Sequence, residues 1–349
     1  MGETATDLCG ADPEELRRLL CRMQDEARDT VVRTRDAEAA EELSRVVAVT
    51  PSDTIYRIDQ AGEEAILDWL RQHWPARWPV ELVMEGLAER EPVVLPEGAP
   101  PDSVRLCCII DPIDGTRGLI YDKRSAWVLS GIAPRTSSPA RLSDIAVAAM
   151  TEIPTAKQRL ADQVSAIRGL GPGGIRAERV DLDTRRKSHF EPRPSKATDL
   201  RGGFASFARF FPEAKGLLAE FEESLWNRLY VPEKRGTPLI FDDQYICSGG
   251  QLFQLLTGRD RMLGDLRPLA LAKLGLDSAL TCHPYDICTA LIAQEAGCPI
   301  GDPRGGPLAA PLDTVTPVAW IGFANREIEA HVRPALDEML ERYFPTDGR

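Results

Sequence analysis

Two aspartates, Asp111 and Asp114, close an apolar run and are followed directly by a glycine and a threonine; residues 106–119 read LCCIIDPIDGTRGL. Leu106 to Ile110 is too short for a helix and rich in β-branched and small apolar residues, which predicts a buried strand with Asp111 at its end. Pro112 biases Asp111 away from helical backbone, and Gly115 admits positive φ, so both carboxylates can converge on one point. Two carboxylates held close repel strongly unless a proton or a cation sits between them. Oxygen-only donors favour Mg²⁺, Mn²⁺ or Ca²⁺ over zinc. Gly115 lets backbone N–H groups approach an anion, and the Thr116 hydroxyl can donate to a phosphate or hold a water in line with it. The plainer alternative is a strand-capping turn with Thr116 as a helix cap.

The DPIDGT string behind an apolar strand resembles the signature of the inositol monophosphatase family. That family sits in the wider group of metal-dependent, often lithium-sensitive phosphatases that includes bisphosphate nucleotidases and fructose bisphosphatases. A second stretch, HPYDICTALIAQEAG at 283–297, resembles the family's WDxAAGxxxxxEAGG, with Tyr285 in place of the tryptophan. The resemblance covers 45–155 and 245–325 and thins between them. It implies a layered α-β-α-β-α sandwich (α+β or α/β in class) with the site where two halves meet. Residues 1–165 would form an N-terminal half with an antiparallel sheet and the DPIDGT site. Residues 166–349 would form an α/β half with the substrate-recognition region and the last metal ligand.

The resemblance also implies roles. Glu85, Asp111, Asp114, Asp286 and the Ile113 carbonyl would hold roughly two or three Mg²⁺, with Mn²⁺ as a substitute. Asp59 would hydrogen-bond Thr116, the pair polarising an attacking water, while Asp114, Gly115 and Thr116 would hold the phosphate. TRG after DG is closer to the DGTKGF of bisphosphate nucleotidases than to the DGTTNF of inositol monophosphatases, which makes Arg117 a candidate for a second phosphate. Three departures stand out. Ala48 lies where the family carries a lysine, although Arg45 is near, and Glu85 is followed by Gly86 rather than a second acid. Ala279, with Asp277 two residues away, occupies the place of a glutamate that grips inositol hydroxyls. Glu81 and Glu89 are rivals of Glu85, but only Glu85 ends an apolar run.

The elements that must position these residues are legible in part. Asp12, Pro13 and Glu15 mark a helix start, followed by Leu16, Leu19, Leu20, Met23, Ala27 and Val31 at helical spacing. RVVAV and DTIYRI read as a hairpin around Thr50-Pro51-Ser52, the second strand ending at Asp59, which then caps a helix. This hairpin is expected to join SAWVLSGIAP and DIAVAAMTEIP in a largely antiparallel sheet. Residues 91–103 read as a surface loop. The stretch 176–203, locally basic in an acidic chain, reads as a surface loop or as cover for the active site. FFPEAKGLLAEFEESLWNRL is a proline-started helix, YICSGGQLFQLLT a helix ending at Gly258, RDRMLGDL and PVAWIGFA strands, and 326–343 a final helix.

Bulk properties bound the function. The 349 residues are 43% hydrophobic with a net charge of −12, which argues against nucleic-acid polymers and anionic membranes as partners. No apolar run approaches the ~20 residues of a bilayer span, so a cytoplasmic protein is expected. Eight cysteines form no CxxC pair and read as reduced. Gly2 and Thr6 match a myristoylation pattern that nothing basic or apolar supports. The expectation is a Mg²⁺-dependent phosphomonoester hydrolase for a small phosphorylated metabolite of the sugar, polyol or inositol-like kind, a homodimer by likeness to the family. The alternatives are a bisphosphate nucleotidase acting on an adenosine bisphosphate, or a catalytically weak binding or regulatory relative.

Overall fold

Asp12 opens the first helix by accepting the Glu14 N–H at 3.0 Å, with Pro13 in the first helical position where no N–H is needed. The computed structural model describes residues 8–49, 54–87, 93–135, 139–230, 239–277 and 280–345. Gly2, Thr6, the Thr50-Pro51-Ser52 turn, Glu89 and Ala279 lie outside the described residues.

The first half runs α1 (Pro13–Ala37), α2 (Ala40–Leu43), β1 (Val46–Val49), β2 (Thr54–Tyr56), α3 (Arg57–His73), β3 (Val80–Met84), β4 (Val93–Leu95), β5 (Leu106–Asp114) and α4 (Thr116–Ile120). Strands β6 (Ala126–Pro134), β7 (Val147–Ile153), β8 (Leu160–Ile167), β9 (Arg176–Asp181) and β10 (Lys187–His189) complete it. The second half holds β11 (Gly203–Phe207), α5 (Lys215–Leu229), β12 (Ile240–Phe241), α6 (Ser248–Leu256), β13 (Asp260–Asp265) and α7 (Arg267–Leu274). It ends with α8 (Pro284–Ile287), α9 (Ala290–Glu295), β14 (Ile300–Gly301), β15 (Trp320–Phe323) and α10 (Arg326–Tyr343).

An eight-stranded sheet has the order β10-β9-β8-β7-β6-β5-β3-β4, antiparallel throughout except at the β3–β5 pair. A five-stranded mixed sheet has the order β12-β11-β13-β15-β14. Helices α1 and α3 cover one face of the large sheet, and α6, α8 and α9 fill the space between the two sheets. Helices α5 and α10 pack together beside the small sheet, which yields the five layers α-β-α-β-α. The period-2 alternation of the strands feeds both sides at once. Cys108, Ile110, Val128 and Ile132 enter the core under α1, while Ile109, Trp127, Leu129 and Ala133 enter the core shared with the second half.

Several expectations are corrected. The β1–β2 hairpin forms its own two-stranded sheet and does not join the large one. Strand β2 stops at Tyr56, so Asp59 is not the N-cap of the following helix but its third residue, accepting the Tyr56 N–H at 2.8 Å. Residues 91–103 contain β4, paired with β3. The division expected between 165 and 166 falls inside β8, and the two sheets part instead between His189 and Gly203. The 176–203 stretch is a loop only over 190–202: residues 176–189 hold the β9–β10 hairpin at the sheet edge, and none of the stretch lines the main cleft. Four of its eight cations are tied to acids of α1 and β8, Arg176 to Glu14, Arg179 to Asp162, Arg185 to Asp29 and Lys187 to Asp25. Helix α5 begins at Lys215 after a left-handed Ala214 rather than at Pro212. The 283–297 helix is two short pieces broken around Cys288 and Thr289. No helix among the described residues is long and apolar enough to cross a membrane.

One buried polar side chain ties α1 to the large sheet. Gln24 donates to Ser130 Oγ at 2.7 Å and to the Ala149 carbonyl at 2.8 Å, and accepts from Thr151 Oγ1 at 2.7 Å. Replacing Gln24 with leucine keeps the volume and leaves those groups unpaired, so it is expected to cost about 2–3 kcal/mol. Urea unfolding, read as a lower midpoint at unchanged slope, is the measurement, and a change under about 0.5 kcal/mol would contradict it.

Candidate metal and phosphate site

Strand β5 carries its acids by breaking step with its neighbour. Asp111 pairs with Leu129 of β6 and Asp114 with Trp127, so two residues of β5 oppose one of β6. This is a β-bulge, placed where Pro112 has no N–H to give the ladder. The Ile113 N–H turns inward instead and donates to Asp111 Oδ1 at 3.0 Å. Gly115 follows at φ 97°, and a Cβ there would lie 3.0 Å from Cys247 Cβ, so only glycine fits both the backbone and the neighbour.

Asp114 is held from the other half of the chain. The Gly249 N–H in the first turn of α6 donates to its Oδ2 at 2.5 Å, and a Cβ at Gly249 would strike Leu129 at 2.6 Å. The Cys247 thiol lies 3.3 Å from both Oδ2 and the backbone oxygen of Asp114. Asp286, in the first turn of α8, accepts the His283 N–H at 2.6 Å. Among the described residues, Asp111, Asp114 and Asp286 each present a carboxylate oxygen within 4.8 Å of the others. Three anions at that separation in a buried site fit a divalent, oxygen-seeking cation and fit little else.

Protonation equilibria register the same crowding. Burial pushes the Asp111 carboxyl well above its ordinary range, and the charges of Asp114 and Asp286 push it further. Asp114 is raised to about 6 by burial, opposed by the Gly249 N–H, the Cys247 thiol and the Arg267 charge. Burial also drives the Cys247 thiol well up, and the neighbouring Asp114 charge adds to it, so the sulfur stays protonated at neutral pH.

Beside the acids, Thr116 Oγ1 lies 2.7 Å from Asp59 Oδ1 and 2.8 Å from the Ile113 carbonyl oxygen. Asp59 reaches it because α3 starts at Arg57, which turns Asp59 Oδ2 to the helix start and leaves Oδ1 for Thr116. All these groups line one cleft, together with Glu85, Ile113, Gly115, Arg117, Phe210, Phe211, Ser248 and Arg267.

The remaining expected residues fall out as follows. Glu85 is on the cleft wall, its N–H donating to the Ile110 carbonyl at 3.3 Å, but it stands outside the 4.8 Å group of acids. Its rival Glu81 is paired with Arg135 at 2.6 Å. Arg117 Nε donates to the Tyr56 hydroxyl at 3.2 Å, the guanidinium lying 5.5 Å from the ring centre. Ala48 is exposed on β1, and Arg45 is paired with Glu42. Neither they nor Asp277 belong to the cleft wall. Cys247, Gly249 and the buried Asp265–Arg267 pair escaped the sequence reading. The small-residue run after Tyr245 was the available signal for close approach of α6 to the acids.

No protein-family model and no curated protein matches the sequence. Solved structures do match over nearly the whole chain. Extragenic suppressor protein SuhB from Bartonella henselae is 17% identical with a TM-score of 0.60, covering 93% of this chain and 99% of its own. SuhB from Mycobacterium tuberculosis is 17% identical with a TM-score of 0.58, covering 96% and 99%. Fructose-1,6-bisphosphatase from Leishmania major is 12% identical with a TM-score of 0.64, covering 97% and 99%. At these identities the likeness is one of fold.

The acid cluster makes a prediction about stability. A carboxyl whose folded pKa exceeds its unfolded value favours the folded state below the unfolded value, and that contribution is lost as pH rises through the folded one. Asp111→Asn, which keeps an oxygen for the Ile113 N–H, is therefore expected to stabilise the metal-free protein by more than about 1 kcal/mol at pH 8. The gain should vanish near pH 4, and millimolar Mg²⁺ should raise the Tm of the parent more than that of the variant. Thermal unfolding at both pH values, with EDTA or Mg²⁺, reads both effects.

Proposed function

Taking as premise that the chain has the fold shared by the inositol monophosphatase family and fructose-1,6-bisphosphatase, we propose that it is a metal-dependent hydrolase of small phosphomonoesters. The observation that carries this reading is the convergence of Asp111, Asp114 and Asp286 beside the Thr116–Asp59 pair in one cleft. Those carboxylates, with Glu85 and the Ile113 carbonyl close by, would hold Mg²⁺, or Mn²⁺ in its place. Bound there, divalent cations supply positive charge against the ester's oxygens and lower the pKa of water.

The chain's own groups do the rest. Thr116 has one hydroxyl proton; given to the Asp59 carboxylate, it leaves the Thr116 oxygen free to accept from a water and turn that water's lone pair toward phosphorus. Backbone N–H groups at the Gly115–Thr116 turn have no helical partners and can donate to the phosphoryl oxygens. Attack by water is direct, because the thiol in the cleft, Cys247, is held protonated against Asp114 and is a poor nucleophile.

A second reading, a bisphosphate nucleotidase, draws on Arg117, which lines the cleft next to Thr116. It loses the support of the basic 176–203 stretch, which does not line the cleft and has four of its cations tied to acids of α1 and β8. The reading as a weak, regulatory relative rests on Ala48 and Gly86. Phosphate release from a panel of phosphomonoesters with Mg²⁺ separates these readings, no turnover on any ester favouring the last. Asp286→Asn and Thr116→Val are expected to lower kcat by roughly 10²–10⁴-fold while leaving the circular dichroism spectrum unchanged. Full activity in either purified variant would contradict the assignment.

A further inference from the structure

The cleft wall carries two kinds of chemistry. Beyond the acids and Thr116, it presents Phe210, Phe211, Ile246 and Leu280. Ile246 and Leu280 are 39% and 43% exposed, so the wall offers accessible apolar surface beside the rings. Phe210 and Phe211, on the segment between β11 and α5, meet edge to face with ring centres 5.1 Å apart at 78°.

The rings rest on a fixed cation. The Arg267 guanidinium carbon lies 4.5 Å from the Phe210 ring centre and 5.4 Å from that of Phe211. Its Nε and Nη2 donate to Asp265, its Nη1 donates to the Leu280 carbonyl at 2.7 Å, and the residue is 7% exposed. One guanidinium therefore clamps the end of β13, the Leu280 segment and the two rings. Aromatic surface held in this way binds a flat partner with little further loss of side-chain freedom.

The acids point the same way. Of the carboxylates on the cleft wall, Asp59 is bonded to Thr116, and Asp111, Asp114 and Asp286 form the cluster. With four of its five carboxylates committed in this way, the wall is poorly supplied to accept the hydroxyl protons of a polyol.

We propose that Phe210 and Phe211, braced by Arg267, are the specificity-determining surface of the cleft, and that the alcohol half of its ester carries a planar, π-faced ring. The position of the phosphate in this proposal rests on the hydrolase reading. Adenosine 5′-monophosphate and ribose 5-phosphate share the same scissile ester and differ by a flat ring, so they are the probe pair. With the Mg²⁺-loaded protein, kcat/KM is expected to favour the ring-bearing ester by roughly tenfold or more. Phe210→Leu and Phe211→Leu, which keep apolar volume and remove the π-face, should lower that ratio severalfold. A ratio near one in the parent, or an unchanged ratio in both variants, would overturn the proposal. Calorimetric binding of the same two compounds separates it from the hydrolase reading. If neither ester turns over, tighter binding of the ring-bearing compound that weakens in the leucine variants still supports the ring surface. Equal binding, or none, overturns it.

Discussion

Mutual repulsion among two buried carboxylates and a half-buried third is the constraint around which this molecule is built. Asp111 and Asp114 are 1% and 6% exposed, and Asp286 completes the group within 4.8 Å. Uncompensated, such a cluster would take up protons or force the fold apart. The fold answers with backbone N–H groups: Ile113 to Asp111, Gly249 to Asp114 and His283 to Asp286. A hydrogen bond to a charged group is worth about 1.5–3 kcal/mol. That orients one oxygen of each acid but does not neutralise the set. The raised protonation equilibria of Asp111 and Asp114 are what remains, and a divalent cation is the natural remedy.

Geometry follows from that demand. A regular strand would point Asp111 and Asp114 to opposite faces, since their spacing is odd. The bulge between them resets the alternation, and the proline inside it supplies a residue with no ladder hydrogen to lose. The third acid comes from the other half of the chain, at the start of α8, and the Gly249 N–H comes from the start of α6. Both helices lie in the layer sandwiched between the two sheets. The middle layer is thus where core and site are the same residues: Leu129 packs on the α6 glycine whose N–H holds Asp114.

How much of this the sequence disclosed depended on whether the signal was local. The apolar run into Asp111 and Asp114, the positive-φ glycine, the cap at Asp12 and the helix at 326–343 are all set by residues within a few positions of one another. They appear where expected. The Asp59–Thr116 contact was named from likeness of motif and is found at 2.7 Å. What escaped depended on partners distant in sequence. The β9–β10 hairpin reads as a charged loop because its cations face acids on α1 that only the folded chain brings near. The β1–β2 hairpin has a strand's composition, but composition does not say which sheet a strand joins, and both faces of β1 remain exposed. Cys247, Gly249 and Arg267 carry no motif of their own, and their meaning comes from what lies opposite them.

The charge balance of the cleft links stability to occupancy. Asp265 and Arg267 are both buried and pair with each other, so they add no net charge, yet Arg267 still lowers the cost of ionising Asp114 from across the cleft. Breaking such a pair would leave one buried charge uncompensated and is typically worth about 3–5 kcal/mol. The pair therefore acts as scaffold first, fixing the Leu280 segment and the phenylalanines relative to the acids. The acids belong to segments remote in sequence, so they gather only in the folded chain. A cation that binds the gathered set and not the unfolded chain must favour folding by mass action. Without a cation the cluster would be a standing strain on the fold, and a bound cation would relieve it. A chain that removed the strain by replacing an acid would fold more firmly and would lose the geometry suited to a divalent ion.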